Sequence, residues 1–325
     1  MTEDGTDRSA EMPRDGIPRD GMPAPKRPGA RGSREIPRQA GQPRHAGQLK
    51  VVNVLFFWSF GVIGGFYVLL ILGMLLADAA YMTAQTLPAG DRGERSWVGI
   101  LSEGPIGRAL GDHRIRYSIW LSMISCTLSA ALSVLVAVPL GYLLARHEFP
   151  GRRLVDAILD IPIVLPPLVI GLSLLILFQY PPFSLLAPQI VYQVPAVVLA
   201  QFAVACAFAV RTMKATFDQM DPRCEQVAIS LGCSRVQAFG HVVLPEARRG
   251  VLTALTLAWA RSLGEFGPLL IFAGATRMKT EVLSTTVFLE MNVGNIDMAV
   301  AVSLIMVGAA IVVLMLTRLW GTPVS

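Results

Sequence analysis

The apolar residues of this chain come in runs long enough to cross a lipid bilayer, and no other feature limits its fold so strongly. A hydrocarbon core of roughly 30 Å needs about 20 residues of helix. Six runs qualify: Val51 to Ala77, Tyr117 to Ala145, Val155 to Phe178, Val191 to Val210, Val251 to Ala273 and Met298 to Leu319. Inside hydrocarbon every backbone polar group must be satisfied within the protein, so the expected fold is all-α, an integral membrane protein of six transmembrane helices. With 53% of residues hydrophobic and 16% charged, little polar material remains outside the runs for a separate soluble domain. Pro162, Pro166 and Pro167 interrupt the third run and should kink or break it near its outer half.

One long polar stretch, at about residues 215–248, separates the fourth run from the fifth, and it carries helix punctuation. Asp221 followed by Pro222 reads as an N-cap with proline at the first helical position, and Gly232 can close that helix in a left-handed conformation. Ser234 can cap a second helix, with Gln237 three residues on to complete a reciprocal box. The expected product is a short helix-turn-helix insert. Lys and Arg place it: with the N-terminus inside, twenty of the 28 basic residues fall on the cytoplasmic side and seven outside, with Arg261 inside a run. Without the N-terminal segment the short loops still favour the same orientation, so both termini and the insert are expected in the cytoplasm.

Residues 1–50 are rich in Pro, Gly, Arg and Asp and almost free of aliphatic side chains, which predicts a disordered cytoplasmic tail ahead of a membrane domain at 51–325. A cleaved signal peptide is not expected, because the polar lead and the apolar run behind it are both too long. No lysine follows a glycine, so the chain lacks a phosphate-binding P-loop. Nucleophile elbows and zinc-protease helices are absent too, and Glu265 is read as the one carboxylate within the spans. No catalytic residue, metal site or cofactor is therefore expected. Cys126, Cys206, Cys224 and Cys233 form no C-x-x-C pair and are read as packing residues.

Two features within the runs could bear on transport. Arg261 and Glu265 stand four apart, on one face of a continuous helix, and ionisable groups at that depth are costly. They could line or gate an anion path, or form a static ion pair that sets helix packing. The static reading is preferred, because a pair with no leftover charge attracts anions poorly. Ser118, Ser122, Ser125, Ser129 and Ser133 recur at helical spacing, which most often marks close helix contact.

The insert resembles the cytoplasmic "EAA" loop of the permease subunits of ATP-binding-cassette (ABC) importers, with Gly232, Val242, Leu244 and Pro245 in register. At the front it departs: Gln226 stands where the family has Glu, Val227 where it has the first Ala, Ala228 follows, and an acid lies one residue early at Glu225. Four further blocks look like molybdate importer permeases, a group close to the tungstate, sulfate and thiosulfate permeases. They are Pro139 to Arg146, Phe149 to Arg153, Ile161 to Pro167 and Arg261 to Gly267. The resemblance runs from about Tyr117 to the C-terminus and implies the type I ABC importer permease fold. It implies that Glu225, Gln226, Val227, Ala228, Gly232, Val242, Leu244 and Pro245 couple to a separate cytoplasmic ABC ATPase, and that an extracytoplasmic substrate-binding protein delivers the ligand. It also implies a plasma (inner) membrane dimer, expected to be a homodimer with a heterodimer of this chain and a sister permease as the alternative, that imports a small oxyanion, molybdate or tungstate, by alternating access, with no nucleic-acid partner. Sulfate or thiosulfate import and an ion-coupled secondary transporter are the alternatives.

Overall fold

The structure, a computed structural model, describes residues 45–86 and 105–321. The chain divides into two compact units, Met1–Ile63 and Gly64–Ser325. Of the first, only the start of one helix, α1 (His45–Thr86), is described. The tail expected at 1–50 thus lies outside the described residues up to 44, and α1 begins ahead of the expected boundary at Val51.

The described residues of the second unit are helices joined by turns and irregular segments, with no strand among them. After α1 come α2 (Pro105–Gly111), α3 (His113–Arg146), α4 (Arg152–Val164), α5 (Pro167–Leu177) and α6 (Val194–Gln219). Then follow two short helices, α7 (Arg223–Ser230) and α8 (Arg235–Ala238), and three longer ones, α9 (Arg248–Leu263), α10 (Leu283–Val293) and α11 (Ile296–Gly321).

Helices α3, α6 and α9 form the centre, each packed on the other two. Their contact faces are built from small residues: Ala130 and Ala137 on α3, Ala200, Ala205 and Ala209 on α6, Ala254 and Ala258 on α9, all fully buried. Lipid tails are as apolar as a leucine, so helices in a membrane associate through close backbone approach, which small side chains permit. At Gly141 of α3 an added Cβ would stand 2.8 Å from Met213 Cβ and 2.9 Å from the Lys214 nitrogen, so only glycine fits that crossing. The serine stripe belongs to the same packing. All five serines are buried; Ser122 Oγ accepts from the Leu283 N–H at 2.8 Å, and Ser129 Oγ accepts from Ser262 Oγ at 3.2 Å.

Among the described residues four helices are long and apolar enough to cross a membrane: residues 61–81 of α1, then α3, α6 and α11. The third and fifth expected spans are not straight helices. Helices α4 and α5 meet at 114°, because Pro166 and Pro167 supply no N–H and Leu165 ahead of them is forced into extended backbone. Helix α9 stops at Leu263, with Gly264, Gly267 and Pro268 behind it, and a π-helical turn, Leu269–Ala273, resumes the path. The two breaks interlock. A Cβ on Gly267 would come within 2.9 Å of the Leu168 nitrogen, and one on Gly171 within 2.7 Å of Pro268 Cα. Each glycine lets the backbone of one break settle on the other.

Candidate functional site

In the insert between α6 and α9 the helix α7 begins at Arg223, one residue later than the sequence pattern placed it, and the residues read as caps make local bonds. Asp221 accepts from the Arg223 N–H at 2.9 Å, and Pro222 sits at helical φ ahead of α7. At the far end the Cys233 N–H reaches Ala228 O at 3.1 Å and the Gly232 N–H reaches Ile229 O at 3.0 Å, the paired bonds of a Schellman ending. Gly232 has φ +96°, which favours glycine, and nothing lies within 4 Å of where its Cβ would be. Its requirement is therefore backbone conformation alone. Ser234 and Gln237 form the reciprocal capping box at 2.9 and 3.3 Å. Beyond α8 the chain runs through a π-helical turn, Phe239–Val243, and one helical turn, Leu244–Glu246, into α9.

The residues expected to contact a partner divide between two faces. Gln226, Val227, Gly232, Leu244 and Pro245 are exposed, Val227 at 57%. Ala228 and Val242 are half-buried, and Val243, not singled out in the sequence, is the residue buried there. Leu231 and Val236 flank the glycine turn at 81% exposure each, an unusual position for such side chains in the absence of a partner. Glu225 points the other way. It is half-buried and accepts a hydrogen bond from the Tyr142 hydroxyl near the end of α3. One residue of helix turns a side chain through about 100°, so the shift of the acid from position 226 to 225 moves it from the outer face to the inner one. Arg146 adds a second tie, donating from Nη2 to Met220 O at 2.9 Å.

Arg261 and Glu265 are brought together at 2.6 Å, although α9 ends between them. The expected continuous helical face is absent: Gly264 terminates the helix and Glu265 follows it, with its carbonyl accepting from Ser284 Oγ at 2.6 Å. Glu265 is 1% exposed, while the Arg261 side chain keeps 30% exposure and lies 5.4 Å from the Phe208 ring centroid. The contact is close but not aligned as a hydrogen bond, which leaves Glu265 Oε1 without a directed donor.

Sequence reading missed a second charged group. Asp156 and Asp160 lie within the third expected span, so Glu265 is not the lone span carboxylate. Arg211 of α6 grips both, at 2.7 Å to Asp156 and 2.5 Å to Asp160, and Lys214 adds 2.9 Å to Asp156. Their i, i+4 spacing on an amphipathic α4 was the available signal. The cysteines divide as well: Cys126 is buried and Cys206 half-buried, but Cys224 and Cys233 are exposed on the insert rather than packed. Among the described residues no group of His, Cys, Asp and Glu could hold a metal ion. On the far side of the bundle Glu281 is buried with Oε2 unpartnered. Burial pushes its carboxyl above the ordinary value, opposed by the Thr286 hydroxyl, the Met278 N–H and Arg277.

The family described as the binding-protein-dependent transport system inner membrane component matches residues 137–321, which include the insert and both broken spans. The chain belongs to that family. It is 37% identical over 202 residues to a probable molybdenum ABC transporter permease protein of Haloferax volcanii, covering 62% of this chain and 74% of that protein. A sulfate transport system permease protein of Salmonella typhimurium is 34% identical over 180 residues, covering 54% of this chain and 65% of the relative. A molybdate/tungstate transport system permease protein of Pyrococcus abyssi is 36% identical over 152 residues, covering 47% and 58%. Among solved structures, a bacterial alginate ABC transporter in complex with an alginate pentasaccharide-bound periplasmic protein superposes with a TM-score of 0.63. The match covers 82% of this chain and 94% of that one at 14% identity, a likeness of fold.

Proposed function

We propose that this chain is the transmembrane subunit of an ATP-driven importer that moves a small oxyanion, molybdate or tungstate, into the cytoplasm. Family membership and the molybdenum and molybdate/tungstate relatives support it. The observation that carries the mechanism is the insert: two capped helices about a positive-φ glycine, with Val227, Leu231 and Val236 turned outward. A rigid polar unit with exposed aliphatic side chains is suited to a protein partner. That partner is a separate ABC ATPase, and Gln226, Val227, Leu244 and Pro245 lie on the docking side. ATP-driven closure of two ATPase subunits moves two inserts together and opens a path between two copies of this chain; hydrolysis resets it. A substrate-binding protein loads the outer mouth.

In this reading the bundle has six crossings, with the α4–α5 pair and α9 with its π-helical turn as the broken third and fifth. The Lys and Arg distribution supports an orientation with both termini and the insert in the cytoplasm. Arg261 and Glu265 form a static pair that fixes the end of α9 rather than a gate, since their charges cancel. The sulfate permease relative supports sulfate as the alternative cargo. Competition distinguishes the two: in vesicles with the ATPase and binding protein, unlabelled tungstate should suppress uptake of radiolabelled molybdate, and sulfate at equal concentration should not. Suppression by sulfate alone would reassign the cargo.

A further inference from the structure

The Tyr142–Glu225 contact joins the insert to the membrane helices at a point where nothing else about the site requires it. Tyr142 lies in α3 beside Gly141, the residue at which α3 and α6 come too close for any Cβ. Its ring is held by Phe239 at 4.8 Å, Phe217 at 5.7 Å and His147 at 5.8 Å between centroids, the first from the insert and the second from α6. Its hydroxyl donates to Glu225 in the first turn of α7. Arg146, one turn further along α3, donates to Met220 O at the start of the insert. The insert is thus tied by polar bonds to the end of α3, although in the chain it follows α6.

We infer that Tyr142 is a positioning residue for transport: through Glu225 it passes movement of the insert into α3, and through the Gly141 crossing into the α3–α6 pair. This rests on the reading of the insert as the ATPase docking unit. A hydrogen bond to a carboxylate is among the stronger ones available, and the aromatic packing keeps the hydroxyl aimed. Without it α7 can tilt under load while α3 stays behind. ATP is then hydrolysed with less ligand moved. The early acid acquires a role on this account: Glu225 transmits inward, and the neighbouring Gln226 and Val227 remain free for the partner.

The test uses the full assembly in lipid vesicles, with uptake of radiolabelled molybdate and ATP hydrolysis measured together. Y142F should raise the ATP hydrolysed per molybdate imported about tenfold, the scale of one charge-assisted hydrogen bond. E225A should do the same, the double variant should be no worse than either, and E225Q, which keeps an acceptor oxygen, should lose less than E225A. Cross-linking from the exposed native Cys233 to the ATPase reads docking separately. If the cross-link persists in Y142F and the ratio rises, the inference stands. If it persists and the ratio stays at the parental value, or uptake and hydrolysis fall in proportion, the inference is overturned while the docking reading survives. Absence of the cross-link in the parental protein overturns both.

Discussion

Gly232→Val should uncouple the insert, and the structure indicates by how much. The glycine has φ +96° and no atom within 4 Å of its missing Cβ, so a substituent there meets no steric neighbour. The entire cost is backbone conformation, about 1–2 kcal/mol for an ordinary L-residue and more for a β-branched one. The Schellman bonds from Cys233 and Gly232 depend on that conformation and would be lost with it. Relaxing out of the strained conformation forfeits those bonds instead, about 1 kcal/mol each at the surface. Either route costs about 2 kcal/mol, which corresponds to roughly a thirtyfold fall in the population of correctly turned insert. G232V should therefore reach the membrane in parental amount but lose ATPase co-purification and ligand-stimulated hydrolysis. Asn, which tolerates positive φ, should restore most of the function, and Ala should fall between the two. Because space is not limiting, side-chain size should not set the order. G232V with parental co-purification and hydrolysis, or G232N as damaging as G232V, would refute the reasoning.

Breaking the Arg261–Glu265 pair from one side should cost more than removing it whole. R261M leaves Glu265 buried and uncompensated, a loss of about 3–5 kcal/mol, whereas R261M/E265Q should recover most of the thermal stability; a double variant no more stable than R261M in a detergent melt contradicts this. Gly267→Ala drives a Cβ to 2.9 Å from backbone at Leu168 and should cost about 1–3 kcal/mol by overpacking, measured as a lowered Tm. A parental Tm would show that the interlocked breaks can separate freely. Glu281 has a folded-state pKa raised by burial, so its contribution to stability is present below about pH 4.5 and is lost as pH rises through the higher folded value. E281Q should flatten that decline; an unchanged pH profile would mean that the carboxyl is solvated.

The apolar runs and the insert caps were legible because each depends on local chemistry. Run length, Asp221, Gly232, Ser234 and Gln237 act within a few residues of themselves, and the structure shows each cap closing the bond its residue type implies. The breaks were less legible. Pro166 and Pro167 announced an interruption, but a 114° turn depends on Gly267 and Pro268, which are distant in sequence and fit against it. The end of α9 escaped notice because Gly264 lies in an otherwise apolar run, so Glu265 was placed on a helix it does not belong to. Asp156 and Asp160 were overlooked because their partners, Arg211 and Lys214, lie on another helix. Likewise nothing near Glu225 in the chain identifies Tyr142, which is brought to it only by the fold.

The central claim, an ATP-driven oxyanion permease, is tested most directly by molybdate accumulation in sealed vesicles. These would contain this chain and the ATPase, with binding protein supplied on the outer side and ATP inside. The account predicts accumulation that requires all three proteins and ATP and continues when the proton gradient is collapsed. Accumulation that proceeds without the ATPase, or stops when the gradient is dissipated while ATP remains, would contradict it.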